Sequence, residues 1–257
     1  MFRDVDRSKL PIDDGRWALN GIPLGKWPVW ITSDGVEIGE ATPSTTITDM
    51  PGTAGVDQTL EDASGAAIPS RRTITLHLVT AGTKQDCIRT LERIAGLNGR
   101  TITFRDAELD GEWQGRCAVG QVEEKPRHGA YLIDLSIDAD PYLHGRRRSV
   151  KLTEGANRVH VKGNRPCWPT FVLHPSLDTE SISICDGDGH TLIVSTESVI
   201  TGNVTITSDP QSREIRMNGN LVAPTLDSDY FALLPGMNDI MLTSCSGTMA
   251  YRPATII

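Results

Sequence analysis

Arg71-Arg72-Thr73-Ile74-Thr75-Leu76-His77-Leu78 alternates polar and apolar side chains without a break. Successive side chains of a strand point to opposite faces, so Ile74, Leu76 and Leu78 share one side and Thr73, Thr75 and His77 the other. That is a half-buried strand. Upstream, Thr45 to Thr48 reads as a second strand. It ends at Asp49-Met50-Pro51-Gly52, where proline fixes φ and glycine admits positive φ. Gly55 to Ala67 is poor in bulky apolar residues and can leave the core as a surface arm or interface loop. Downstream, Thr83-Lys84-Gln85-Asp86 is a helix start: the Thr83 hydroxyl can accept from a first-turn N–H, and Asp86 sits at the positive end of the dipole. Ile88, Leu91, Ile94 and Ala95 fall on one face, and Asn98-Gly99 supplies a left-handed stop. Thr101 to Phe104 resumes the sheet, so Ser44 to Arg105 is expected to be strands carrying one short helix.

The totals agree with a β-rich chain. Apolar residues make up 38%, with 24 Gly and 15 Pro among 257 residues, a composition low in helix formers and rich in turns. That length suffices for self-supporting cores without staples. The five cysteines, Cys87, Cys117, Cys167, Cys185 and Cys245, are odd in number and lack C-x-x-C spacing. They read as reduced thiols of a protein made in a cytosol, with neither a disulfide framework nor a zinc site. A formal charge of -8 argues against a surface built to neutralise phosphates. Met1 to Leu10 is charged and without an apolar run, and apolar stretches elsewhere are short, so neither a signal peptide nor a membrane span is expected.

Residues 1–14 carry Asp4, Asp6, Asp13 and Asp14 and read as an arm ordered only against a partner. Trp17 to Leu19 and Val36 to Gly39 look like short strands. Gly21 to Trp30 interleaves Pro23 and Pro28 with Trp27 and Trp30, which either cap the edge of the core or anchor a subunit contact. Glu112 to Val122 and Ala130 to Ala139 form a hairpin, and in the second strand Tyr131, Ile133, Leu135 and Ile137 face one way. Such alternation suits an antiparallel sheet.

Asp140 to Ser149 holds a proline, a glycine and Arg146-Arg147-Arg148, the features of a linker, so the domains are placed at 1–145 and 146–257. An arginine triplet can touch nucleic acid but is more often solvated. Beyond it, apolar pairs recur at near-regular spacing, from Val159 and Val161 through Phe231 and Leu233 to Met249 and Tyr251. Asp186-Gly187-Asp188-Gly189 and Asn218-Gly219 supply hairpin tips. The second domain is expected to be a β-sandwich or jelly roll.

No reactive constellation is legible. Asp186 and Asp188 lack the third oxygen ligand and downstream Glu of a calcium loop, and the six histidines show no H-E-x-x-H. Nucleophile elbows, P-loops and dinucleotide fingerprints are missing as well. A glycosidase pair converges only in space and stays open. Trp168, Tyr230 and Tyr251 are candidate sugar platforms, although core packing is the commoner use of such residues. No catalytic residue, metal or cofactor is expected.

Three passages together resemble a known family. The order of strand, Met50-Pro51-Gly52 loop, Arg71-to-Leu76 strand, lone helix and Thr103-Phe104-Arg105-Asp106 is similar to the N-terminal domain of siphophage distal tail proteins. The hairpin closing at Ala139-Asp140-Pro141-Tyr142 matches the end of that domain. Asp229-Tyr230-Phe231-Ala232-Leu233-Leu234-Pro235-Gly236-Met237-Asn238-Asp239-Ile240 resembles the penultimate hairpin of the family's galectin-like C-terminal domain.

The resemblance implies a structural virion protein of the phage tail tip, without catalysis, made in the host cytoplasm. Its N-terminal domains would join in a hexameric ring between the tail tube protein and the tail-tip hub protein, with DNA crossing the lumen unbound. Its galectin-like sandwich would face outward, in some members toward a receptor-binding protein or host saccharide. The alternative is a carbohydrate-binding adhesin acting through that sandwich. A ring needs edges and loops for its neighbours rather than a pocket, and the residues expected at subunit contacts are Trp27, Trp30, Pro51, Gly52, Val56 and Leu60.

Overall fold

The computed structural model describes residues 15–48, 56–80, 82–126 and 129–257. The chain divides into two compact units. The first is built from the residues up to Leu60, Ala67–Leu143 and Ile257, and the second from Glu61–Ala66 and His144–Ile256. The N-terminal arm and the Asp49–Gly52 turn lie outside the described residues.

The first unit contains β1 (Trp17–Leu19), β2 (Ile22–Pro23), β3 (Val29–Ile38), β4 (Thr45–Thr48), β5 (Val56–Thr59) and β6 (Arg72–Thr80). After α1 (Lys84–Ala95) come β7 (Thr101–Asp106), β8 (Gly111–Lys125) and β9 (Ala130–Ala139), followed by β10 (Leu143–Gly145). Seven strands of the main sheet run antiparallel in the order β2-β1-β7-β8-β9-β6-β3, with β10 paired to β8 off this path, while β4 and β5 pair with each other. Ile74, Leu76 and Leu78 of β6 are fully buried, as are Ile133, Leu135 and Ile137 of the neighbouring β9. The period of two read from the sequence places both sets on the core face.

Both partners of the α1 cap are in place: Thr83 Oγ1 accepts from the Asp86 N–H at 3.2 Å, and an Asp86 carboxylate oxygen accepts from the Thr83 N–H at 3.1 Å. The helix stripe differs from the one expected. Cys87, Thr90 and Ile94 are buried and Leu91 packs on the core, whereas Ile88 is 37% exposed and Ala95 faces solvent. The two stripes share Leu91 and Ile94, and the difference is that the smaller Cys87 and Thr90 face the sheet in place of Ile88 and Ala95. The helix also stops three residues early, at Gly96, although Gly99 does adopt the left-handed φ of +73°. Val36–Ile38 proves to be the far end of β3, which pairs with β6 on both sides of a break between Ile31 and Val36.

The second unit holds β11 (Arg148–Leu152), β12 (Gly155–Val161), β13 (Thr170–Pro175), β14 (Ser181–Asp186), β15 (Thr191–Ser195) and β16 (Val204–Thr207). It continues with β17 (Glu214–Met217), β18 (Asn220–Val222), β19 (Gly236–Thr243), β20 (Cys245–Tyr251) and β21 (Ala254–Thr255). One sheet runs β11-β20-β13-β16-β17-β18 and the other β12-β19-β14-β15, with antiparallel pairing throughout. Phe171, Leu173, Val204 and Ile206 of the first sheet are buried, and so are Ile182, Ile184, Ile240 and Leu242 of the second. The two sheets form a sandwich over these alternating residues. Phe231 and Leu233 do not form a strand. Leu233 makes a single bridge to Cys167, and the Phe231 ring meets Phe171 edge-on at 6.1 Å. The Asp140–Ser149 stretch, expected as linker, contains β10 and the first residues of β11, with Arg146, Arg147 and Arg148 exposed.

Candidate assembly surfaces

The sheet of the first unit has a second face, opposite its core. Val29 is buried and Ile31 packs on the core, so Trp30 between them points the other way. Register places Trp30 beside Val79, Val79 beside Leu132, and Leu132 beside Glu123. Trp30, Val79 and Leu132 are half-buried. They form an apolar row across β3, β6 and β9, which continues into a shallow depression lined by Gln121, Glu123, Leu132 and Asp134.

Beyond that row the face turns polar. His77 Nδ1 lies 2.8 Å from Asp134 Oδ1, and its Nε2 lies 3.7 Å from Glu37. The hydrogen bond to Asp134 raises the His77 pKa, with the negative charges of Asp134, Glu37 and Asp34 acting the same way against the cost of burial. Farther along, Arg71 Nε binds the Asp138 carboxylate at 3.0 Å. Asp138 stands opposite Thr73 on β6 and Arg116 on β8. An apolar strip bordered by charged pairs is the layout of a protein contact rather than of a reaction centre.

Of the contact residues expected from sequence, Trp30 lies on this face. Trp27 is only 6% exposed and belongs to the core, with the Arg93 guanidinium 4.6 Å from its ring centroid. Leu60, after β5, is 65% exposed. Val56 is described by its backbone alone, opposite Thr48, and Pro51 and Gly52 lie outside the described residues. Val79 and Leu132 escaped sequence reasoning. Their alternation with buried neighbours placed them outward, but only the register shows that they stand beside Trp30.

The loop after Leu60 is fastened. Asp62 Oδ1 accepts from the Ser64 and Ala66 amides at 2.8 and 3.3 Å, and the other Asp62 carboxylate oxygen meets Arg165 at 3.5 Å. In the hairpin between β14 and β15, the Asp186 carboxylate accepts from the amides of Asp188 and His190 and binds the His190 ring at 2.7 Å. Those bonds account for the aspartates as turn chemistry. Among the described residues no three His, Cys, Asp or Glu side chains are grouped to hold a metal ion. Among the described residues no helix is long and apolar enough to cross a membrane. Tyr251 is buried, its hydroxyl donating to the His160 carbonyl at 3.2 Å, while Trp168 and Tyr230 are half-buried.

Residues 162–254, most of the sandwich, match the family described as siphovirus-type tail component, C-terminal domain. The match lies within the second unit and does not reach the first. The match supports the resemblance of the chain to siphophage distal tail proteins. The fold of the whole chain is similar to that of the Dit protein of phage SPP1, described as a paradigm of the hub adsorption apparatus in phages infecting Gram-positive hosts. The TM-score is 0.68 at 19% identity, covering 93% of this chain and 98% of that one. The activated, calcium-bound baseplate of phage P2 is more distant, with a TM-score of 0.44 at 11% identity over 86% of this chain and 91% of that one. No curated protein matches the chain.

Proposed function

We propose that this protein is a non-catalytic building block of a phage tail tip. Six copies close into a ring that joins the tail tube protein to the tail-tip hub protein and leaves a channel for DNA. The match of residues 162–254 to a siphovirus-type tail component carries the reading. The first domain, residues 1–145, forms the ring, and the sandwich of residues 146–257 points outward, where a receptor-binding protein or a host saccharide is its partner.

Subunit contacts run through the Trp27–Trp30 segment and the Pro51–Leu60 stretch. Leu60 offers exposed apolar surface there, half-buried Trp30 adds to it, and Trp27 is buried in the core behind the segment. A cyclic assembly needs two different surfaces that meet head to tail, and an edge strand with an apolar row beside it fits one half of such a pair. The acidic chain, at -8, lets DNA slide past without sticking if carboxylates line the lumen. The protein is made in the host cytoplasm and ends in the virion.

Negative-stain imaging of the purified protein tests the reading. Rings with a central opening are expected, and Trp30→Asp or Leu60→Asp should abolish them while leaving the fold intact. A uniform field of single particles would refute the proposal, and a strongly basic lumen in an assembled ring would end the sliding argument.

A further inference from the structure

We infer that the free edge of β18 is a docking site for an extended segment of a partner protein carrying an apolar side chain next to a carboxylate. Among the described residues β18 is the last strand of its sheet and pairs only with β17. The turn joining them is Asn218-Gly219, with φ of +51° and +85°, the two-residue type whose flanking pair is hydrogen-bonded. Met217 and Asn220 are that pair, so the next one, Arg216 and Leu221, is not bonded. The N–H and C=O of Leu221 therefore face the open edge, and its side chain is 70% exposed.

Beside this edge is an open pocket of about 290 Å³, whose apolar lining comes from Ile215, Leu221, Val222, Pro224 and Tyr230. Arg213 also lines it, its guanidinium 5.3 Å from the Tyr230 ring centroid and 5.6 Å from that of Trp168. Arg213 forms no ion pair among the described residues. Glu214, the acid of the lining, is already held by Arg216 at 2.9 Å through two nitrogens. On a chain of net charge -8, an exposed cation resting on two aromatic faces without a carboxylate is poised to take one from outside. Open backbone groups, an apolar pocket and an unclaimed cation together match strand addition, in which the main chain supplies affinity and alternate side chains supply specificity.

Short synthetic peptides serve as the probe: heptapeptides of threonine with a central leucine, isoleucine or phenylalanine, flanked by aspartate in one set and lysine in the other. Each is titrated into the full chain while amide exchange is followed residue by residue. The aspartate set is expected to bind and to slow exchange of the Leu221 amide, and Arg213→Glu should weaken that binding about tenfold. Leu221→Pro should abolish it, since proline removes both the open N–H and the apolar side chain of the pocket lining, and should leave the unfolding midpoint nearly unchanged because β17 does not use that N–H. The inference fails if no peptide protects the Leu221 amide, or if lysine peptides bind as well as aspartate ones. It also fails if the edge proves to be taken by a second copy, seen as concentration-dependent protection of Leu221 without peptide.

Discussion

Phe104 and Trp113 stack inside the first unit, their ring centroids 6.0 Å apart and their planes 13° from parallel. Both are fully buried, and Trp17 lies on the other side of Phe104 at 5.4 Å. The three rings come from β1, β7 and β8, so one column ties three adjacent strands together. Phe104→Ala should cost about 3–5 kcal/mol, the range for emptying a buried aromatic site, and should lower the unfolding midpoint of the first unit. A denaturant titration followed by tryptophan fluorescence reads this directly.

Gly247 occupies the middle of the second unit's larger sheet, where β20 runs between β11 and β13. A Cβ there would fall onto the Val172 carbonyl oxygen and close to the Leu173 Cα. Backbone atoms of a central strand cannot swing aside as a side chain does. Gly247→Ala is expected to destabilise the second unit by about 1–3 kcal/mol, measured by thermal unfolding.

His77 binds its proton more tightly in the folded protein because of Asp134. A raised folded pKa stabilises fully below the ordinary histidine value of about 6.5, and this contribution fades as pH rises through the elevated value. Asp134→Asn should return the His77 titration midpoint toward the ordinary value in an NMR titration. The stability difference between wild type and His77→Gln should shrink as pH is raised through the wild-type midpoint.

Cys117 and Cys245 are pushed up to about 11 and Cys167 to about 12, in each case chiefly by burial. Cys87 is buried as well, whereas Cys185 is half-buried at the end of β14. The thiolate is the reactive species, so a disulfide reagent near neutral pH should label Cys185 first and leave the other four until the chain is unfolded. Mass spectrometry of labelled peptides distinguishes the sites.

The sequence made the sheets legible where one face is buried and the other wet, as in β6 and β9, and made the α1 start legible through Thr83 and Asp86. It was less informative where neighbours decide. Whether Cys87 or Ile88 faces the sheet depends on how closely the helix approaches, and Phe231 packs on Phe171 without entering a strand. The outer row of Trp30, Val79 and Leu132 comes from three strands far apart in the chain, so no local pattern could announce it. A surface that works between copies leaves even less trace, because each copy carries only part of it.

Light scattering coupled to size-exclusion chromatography at micromolar concentration tests the assembly claim most directly. Six copies of a 28.0 kDa chain predict a species of about 168 kDa. A single peak at the mass of one chain, unchanged as concentration is raised, would contradict it.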